Sequence, residues 1–191
     1  MLKIIKTTIV IFSLFTVLTG LIYPLIITGI AQVLFPQQAN GSLIKATDGS
    51  ILGSKLIGQS FYDPKYFWGR LSATAGNPYN AAASGGSNLS VSNQALLDQV
   101  QARIDTLHAA DPSNTLPVPI DLVTASASGL DPDISIASAN YQAARVARIR
   151  NIAFETVTSL IAQNTSGRVL GFLGEPRVNV INLNIALDAL K

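Results

Sequence analysis

The sequence predicts an α+β protein in which one N-terminal transmembrane helix is followed by a single mixed soluble domain. Three observations lead there. No charged side chain stands between Lys6 and Lys45, and most of Thr7 to Phe35 is Ile, Leu, Val, Phe, Thr and Gly. Beyond that stretch roughly 155 residues remain, within the usual size of one domain with its own core. Along them strand-like segments come first, then helices, then strands, an order that favours α+β over a wound parallel sheet.

The apolar stretch, 7–35, would measure roughly 43 Å as a helix, against the ~30 Å of hydrocarbon a span must cross. Lipid offers no hydrogen-bond partners, so the backbone must satisfy itself as a helix, and no later segment is apolar enough for a second crossing. Lys3 and Lys6 flank one side, while the other offers only Lys45 and then Lys55. The positive-inside rule therefore predicts a short cytoplasmic N-terminus, 1–6, and an extracytoplasmic soluble domain, 36–191. A cleaved signal peptide is the competing reading, because Gly29-Ile30-Ala31 has a small-x-small form; the apolar stretch is about twice too long for one. Thr16, Gly20, Pro24 and Thr28 recur every four residues as a stripe of small side chains that admits a neighbouring helix. Pro24 removes one backbone bond and predicts a kink.

In the soluble part, Leu43–Ala46 and Ile51–Leu52 read as a hairpin whose Asp48-Gly49 turn supplies the positive φ required, with Leu56-Ile57 continuing the strand pattern. From Asp63 to Val91 the chain is rich in Pro, Gly, Asn, Ser and Tyr; so long an irregular stretch is usually functional or ordered by its own packing. Ser92 caps a predicted helix to about Ala109, with Leu96, Val100, Ile104 and Leu107 on one face, and Asp111-Pro112 ends it. Leu116–Ile120 reads as extended. Ser135 caps a second helix from Ile136 to about Asn151, and a third runs from about Ala153 to Gln163. Val169–Phe172 and Val178–Ile181 read as closing strands around Gly174-Glu175-Pro176.

Charge and composition exclude several function classes. Of 13 Lys and Arg, Lys3 and Lys6 precede the span, and the rest match the 11 Asp and Glu in number, so the domain lacks the field that binds nucleic acid. With no Cys and one His, neither a Cys/His nucleophile nor an ordinary zinc site is assembled, and no P-loop motif is present. His108, near a predicted helix end, reads as a surface or capping residue. Three weaker signals remain. Ser42-Leu43-Ile44-Lys45 with Ser138-Ala139-Asn140 match parts of the serine acyltransferase pattern of cell-wall enzymes, without its Lys-Thr-Gly and with Ser42 in a hairpin rather than opening a helix. Ser84–Asn88 offers backbone N–H groups to an anion, or is a plain loop. Asp131 and Asp133 offer carboxylates to a cation, or simply form a turn. The residues thus yield no catalytic or metal assignment.

Several strings taken together resemble the C subunit of the bacterial Kdp system, the high-affinity potassium-transporting P-type ATPase. They are Leu56–Phe61, Tyr66–Arg70, Ser84–Leu89, Val118–Ser126, Ser128–Pro132 and Gly171–Val180, in family order behind one N-terminal span. The chain departs from the family pattern at Leu71 and Ile136, where Pro is frequent, at Ser90-Val91, often Gly-Pro, and at Asp133, often His. The resemblance implies a bacterial inner-membrane complex in which a channel-like subunit selects potassium and a P-type subunit hydrolyses ATP through a phosphorylated aspartate. It implies for the C subunit a role in stabilising assembly and as a catalytic chaperone raising the ATP affinity of the hydrolysing subunit. ATP and potassium belong to the complex, and no cofactor is assigned to this chain.

The leading expectation is therefore a non-catalytic accessory subunit, tethered in lipid, whose work is binding. Candidate partner contacts are Thr16, Gly20 and Thr28 in the membrane, with Gln59, Tyr66, Arg70, Asn88, Asp131 and Arg145 outside; polar and aromatic groups in turn-rich strings serve either contacts or internal loop bonding. The alternatives are a membrane-tethered serine acyltransferase and a ligand-binding sensor module.

Overall fold

The computed structural model describes residues 1–190. The chain divides into two compact units, Met1–Leu43 and the remainder from Ile44. In the first, helix α1 (Leu2–Val17), a π-helical turn (Leu18–Ile22) and helix α2 (Tyr23–Leu34) follow one another without a break. Together they make 33 helical residues, long and apolar enough to cross a bilayer. Three of its hydroxyls are satisfied along the helix: Thr7, Thr16 and Thr19 each donate to the carbonyl four residues back.

The disturbance expected at Pro24 takes the form of the π turn. Pro24 brings no N–H to the Gly20 carbonyl, and the Tyr23 amide reaches back five residues to Leu18 O. Four-residue steps in an α-helix overshoot a full rotation by about 40°. A π turn holds more residues and undershoots, which draws Gly20 back toward the line of Thr16, Pro24 and Thr28. A short helix, α3 (Pro36–Ala39), ends the unit, with Asn40 Nδ2 donating to Pro36 O and Gln32 Oε1.

The chain passes into the second unit within strand β1 (Leu43–Lys45), which pairs with β2 (Ile51–Ser54) as the Asp-Gly signal predicts. Gly49 sits at φ +84°, and Asp48 Oδ1 accepts from the Ser50 amide at 2.9 Å. Leu56-Ile57 is not a strand; Ile57 makes only an isolated bridge to Ser54. After the long loop come helices α4 (Gln94–Ala110) and α5 (Ile120–Val123), strand β3 (Asp133–Ser135), and helices α6 (Ile136–Arg150) and α7 (Phe154–Gln163). Strands β4 (Thr165–Ser166) and β5 (Arg177–Asn179) and helix α8 (Val180–Asp188) close the chain. β3, β5 and β4 form an antiparallel sheet in that order, with Ile134 opposite Val178 and Thr165 also opposite Val178.

The α+β class and the three central helices match the sequence reading. Ser135 caps α6 by accepting from Ser138 N, and Asn151 ends it in the left-handed region, where an Asn is at home. Four local expectations are corrected. Asn93, not Ser92, caps α4, its side chain accepting from Ala95 N. Leu116–Ile120 does not run on extended to its end: Ile120 opens the single turn α5. Val169–Phe172 is a tight turn, because Leu170 and Gly171 both take positive φ. Val178–Ile181 is strand only to Asn179, whose side chain accepts from Asn182 N and starts α8. There, a run of β-branched residues masked an N-cap.

The core gathers on α6. Its alanines Ala139, Ala143 and Ala147 admit close neighbours, while Val146 meets a cluster with Val157, Ile161, Val178, Leu183 and Leu187 from α7, β5 and α8. Phe67 and Trp68, out of the irregular loop, are buried in the same cluster, which is why nearly thirty turn-rich residues are ordered.

Candidate partner-contact site

The loop from Leu56 to Ser72 is held as though it were a strand, by side chains. Asn184 of α8 accepts from Phe67 N at 2.9 Å and donates to Phe67 O at 3.0 Å; Gln142 of α6 accepts from Trp68 N at 2.8 Å and donates to Trp68 O at 3.1 Å. Both amides are buried, and each uses its oxygen and its nitrogen on the loop backbone. Sequence reasoning missed them. Their one signal is a carboxamide on the apolar face of a helix.

Arg145 is the clearest correction among the candidate contacts. It is 2% exposed, donates to Pro64 O and to Gln142 Oε1, and its guanidinium carbon lies 4.6 Å from the Trp68 ring centroid. Loss of solvent pushes its pKa down to about 10, still protonated at neutral pH. Its place on the buried stripe of α6 makes it a pillar for Trp68 rather than a surface contact. Tyr66 is half-buried: its hydroxyl donates to Asp188 Oδ2 at 3.0 Å, and Arg150 stacks on its ring at 4.8 Å. Arg70 and Asp131 meet each other, Nη1 to Oδ2 at 3.0 Å. Gln59 is exposed and donates to Leu52 O, and Asn88 is exposed at φ +52°. In the first unit Thr16, Gly20 and Thr28 are all exposed, with nothing within 4 Å of where a Gly20 side chain would stand.

The strings that carried the resemblance converge through backbone bonds. Gly58 N donates to Leu130 O at 2.8 Å, Gly85 N to Ser128 O at 2.9 Å, and Ser72 Oγ to Gly129 O at 2.7 Å; Leu71 bridges Ala125. The Gly85 amide is thus spent within the loop cluster, and the helix α4 starts only at Gln94, so Ser84–Asn88 does not form an anion-binding helix start. The cation reading also fails. Asp131 faces Arg70, Asp133 Oδ2 faces Arg177 Nε at 2.7 Å, and among the described residues no group of three His, Asp or Glu gathers to hold a metal. Ser138 Oγ donates to Asp121 Oδ1 at 2.5 Å, one of three bonds to that carboxylate, and so serves the start of α6. Burial works to raise the Asp121 pKa, but the Ser135 amide and the two hydroxyls outweigh it and hold the carboxyl below its ordinary range.

One surface feature was not foreseen. The turn after β4 projects Leu170, 79% exposed, and Phe172, 69% exposed, beside the half-exposed Val169 and Leu173. It is well ordered: Val169 and Leu173 exchange two bonds of 2.9 Å, and Arg168 grips both oxygens of Glu175 at its base. Leu170 and Phe172 thus form an apolar tip closed at its base by hydrogen bonds.

Comparison with known proteins identifies relatives along nearly the whole chain. The family described as KdpC, K+-transporting ATPase, c chain, matches residues 5–189. A protein of Herpetosiphon aurantiacus named potassium-transporting ATPase KdpC subunit is 66% identical over 178 residues, 93% of this chain and 92% of the relative. Proteins of the same name from Variovorax paradoxus and Methylococcus capsulatus are 60% and 58% identical, covering 98% and 97% of this chain and 96% and 97% of their own.

Proposed function

The chain belongs to the KdpC family, the c chains of K+-transporting ATPases, and from that membership we propose that it is the non-catalytic accessory subunit of an ATP-driven potassium import complex. The observation that carries the proposal is a family match that runs through the apolar helix and the whole domain behind it. The residues support the division of labour. A lone helix encloses no pore, and no catalytic or nucleotide-binding motif was found in the domain behind it. Potassium selection and ATP hydrolysis then fall to a channel-like subunit and a P-type subunit.

In this reading residues 1–6 are cytoplasmic, 7–35 span the inner membrane and 36–191 form an extracytoplasmic domain over the side from which potassium arrives. Thr16, Gly20 and Thr28 meet a partner helix. Gln59, Tyr66, Asn88, the exposed edges of Arg70 and Asp131, and the Leu170–Phe172 tip meet partner loops. A chaperone effect on ATP affinity acts across the bilayer, by favouring one conformation of the pump, since the nucleotide lies on the other side.

The test is a tagged chain expressed with the pump in which Leu170 and Phe172 are both replaced by Ser. Both side chains are exposed, so circular dichroism of the variant should match the unaltered chain while its yield of co-purified partners falls at least several-fold. Undiminished partners would remove the tip from the contact surface.

A further inference from the structure

A cavity of about 110 Å³ opens between the loops 59–62 and 69–79 and helix α4, walled by Ser60, Tyr62, Arg70, Ser72, Tyr79 and Arg103. We infer that it binds a small oxyanion, a carboxylate or phosphate group. Arg103 is the reason. Its Nε donates to Leu122 O and its Nη2 to Gly69 O, both at 3.0 Å, which leaves Nη1 unassigned. Among the described residues no carboxylate lies within 4 Å of it, and its guanidinium carbon lies 5.2 Å from the Trp68 ring centroid.

A guanidinium withdrawn from water without a counter-charge is costly unless something negative completes it. The neighbouring Arg70 is balanced by Asp131, yet its Nε is buried and has no partner. The cavity therefore has one net positive charge, and Arg103 Nη1 is the guanidinium nitrogen beside it with no acceptor assigned, Arg70 Nε being closed off from solvent. Ser60 and Tyr62 add hydroxyls that make no hydrogen bond within the described residues, whereas Ser72 and Tyr79 are committed to the loop, Tyr79 N to Ser72 Oγ and Tyr79 Oη to Arg70 O. A planar guanidinium with hydroxyl donors beside it suits an oxyanion. The space is large enough to admit a carboxylate or phosphate group.

The group has two sources, an acidic side chain of a partner or a free tetrahedral anion, and one titration separates them. The arginine Nε–H resonances of the ¹⁵N-labelled full chain in detergent micelles are followed in sodium phosphate, sodium acetate and sodium chloride at matched ionic strength. Arg70 and Arg103 should shift saturably with phosphate or acetate but not with chloride, and Tyr62→Phe, at an exposed position that leaves the fold intact, should weaken the response at least three-fold. Saturation by acetate alone assigns the cavity to a partner carboxylate; saturation by phosphate alone assigns it to a free anion. Shifts that are absent, that are the same in all three salts, or that persist unweakened in Tyr62→Phe overturn the site.

Discussion

Gly58 donates its N–H to Leu130 O with the Tyr79 ring against its Cα; a Cβ there would stand 2.3 Å from Tyr79 Cε1 and 2.9 Å from Asp131 O. The obstacle on one side is backbone, which cannot swing away. Gly58→Ala should therefore cost about 1–3 kcal/mol, read as an earlier denaturation midpoint of the full chain at unchanged slope. Asp121 makes a second prediction. Its folded pKa is depressed, so its contribution is present above the unfolded value near 3.9 and is lost as pH falls through the folded pKa. Asp121→Asn should lower the melting temperature at pH 7, and the gap to the unaltered chain should close below about pH 4. A gap independent of pH would remove the carboxylate from the account. At this scale the sequence was legible where a residue acts on its neighbours, as with Ser135 or Gly49. It was silent on Asn184 and Gln142, whose partners lie 117 and 74 residues away. Arg145 misled because an arginine in a helix reads as surface until its stacking partner Trp68 is known.

At the scale of elements, β3 is an edge strand that does not offer itself for pairing. Its N–H groups directed away from β5 are taken by carboxylates, Asp133 N by Asp131 Oδ1 at 3.0 Å and Ser135 N by Asp121 Oδ2 at 2.7 Å. These N–H groups are closed to strand addition, a protection against aggregation built from Asp131 and from Asp121 of α5. In the membrane element the π turn and the small stripe make their own prediction. Because nothing stands near Gly20 in the chain itself, Gly20→Leu should leave the helix content unchanged while loosening association with a partner helix in mild detergent. Equal recovery of partners with Gly20 and Leu would count against the stripe as a packing face. Helices with clean caps and a three-to-four periodicity were legible; α8 was not, since Val178 to Ile181 carries the composition of a strand and the cap that ends it is a single Asn.

For the molecule as a whole, membership in the KdpC family joins two physically different parts, an apolar helix of 33 residues and a mixed domain whose core is built on α6. The domain spends the buried Arg145 and the Gln142 amide on ordering a loop, while Leu170 and Phe172 are among the large apolar side chains it leaves exposed. The molecule's class and its long apolar helix were legible from hydropathy and element order; the arginine-lined cavity was not, because it arises only when distant loops close on one another.

The most direct measurement is the mass of whatever accompanies the tagged full chain when it is drawn from native membranes in mild detergent. The account predicts two larger companions in fixed proportion, one with potassium-channel character and one that hydrolyses ATP. Recovery of this chain alone, from membranes that contain the working pump, would contradict it.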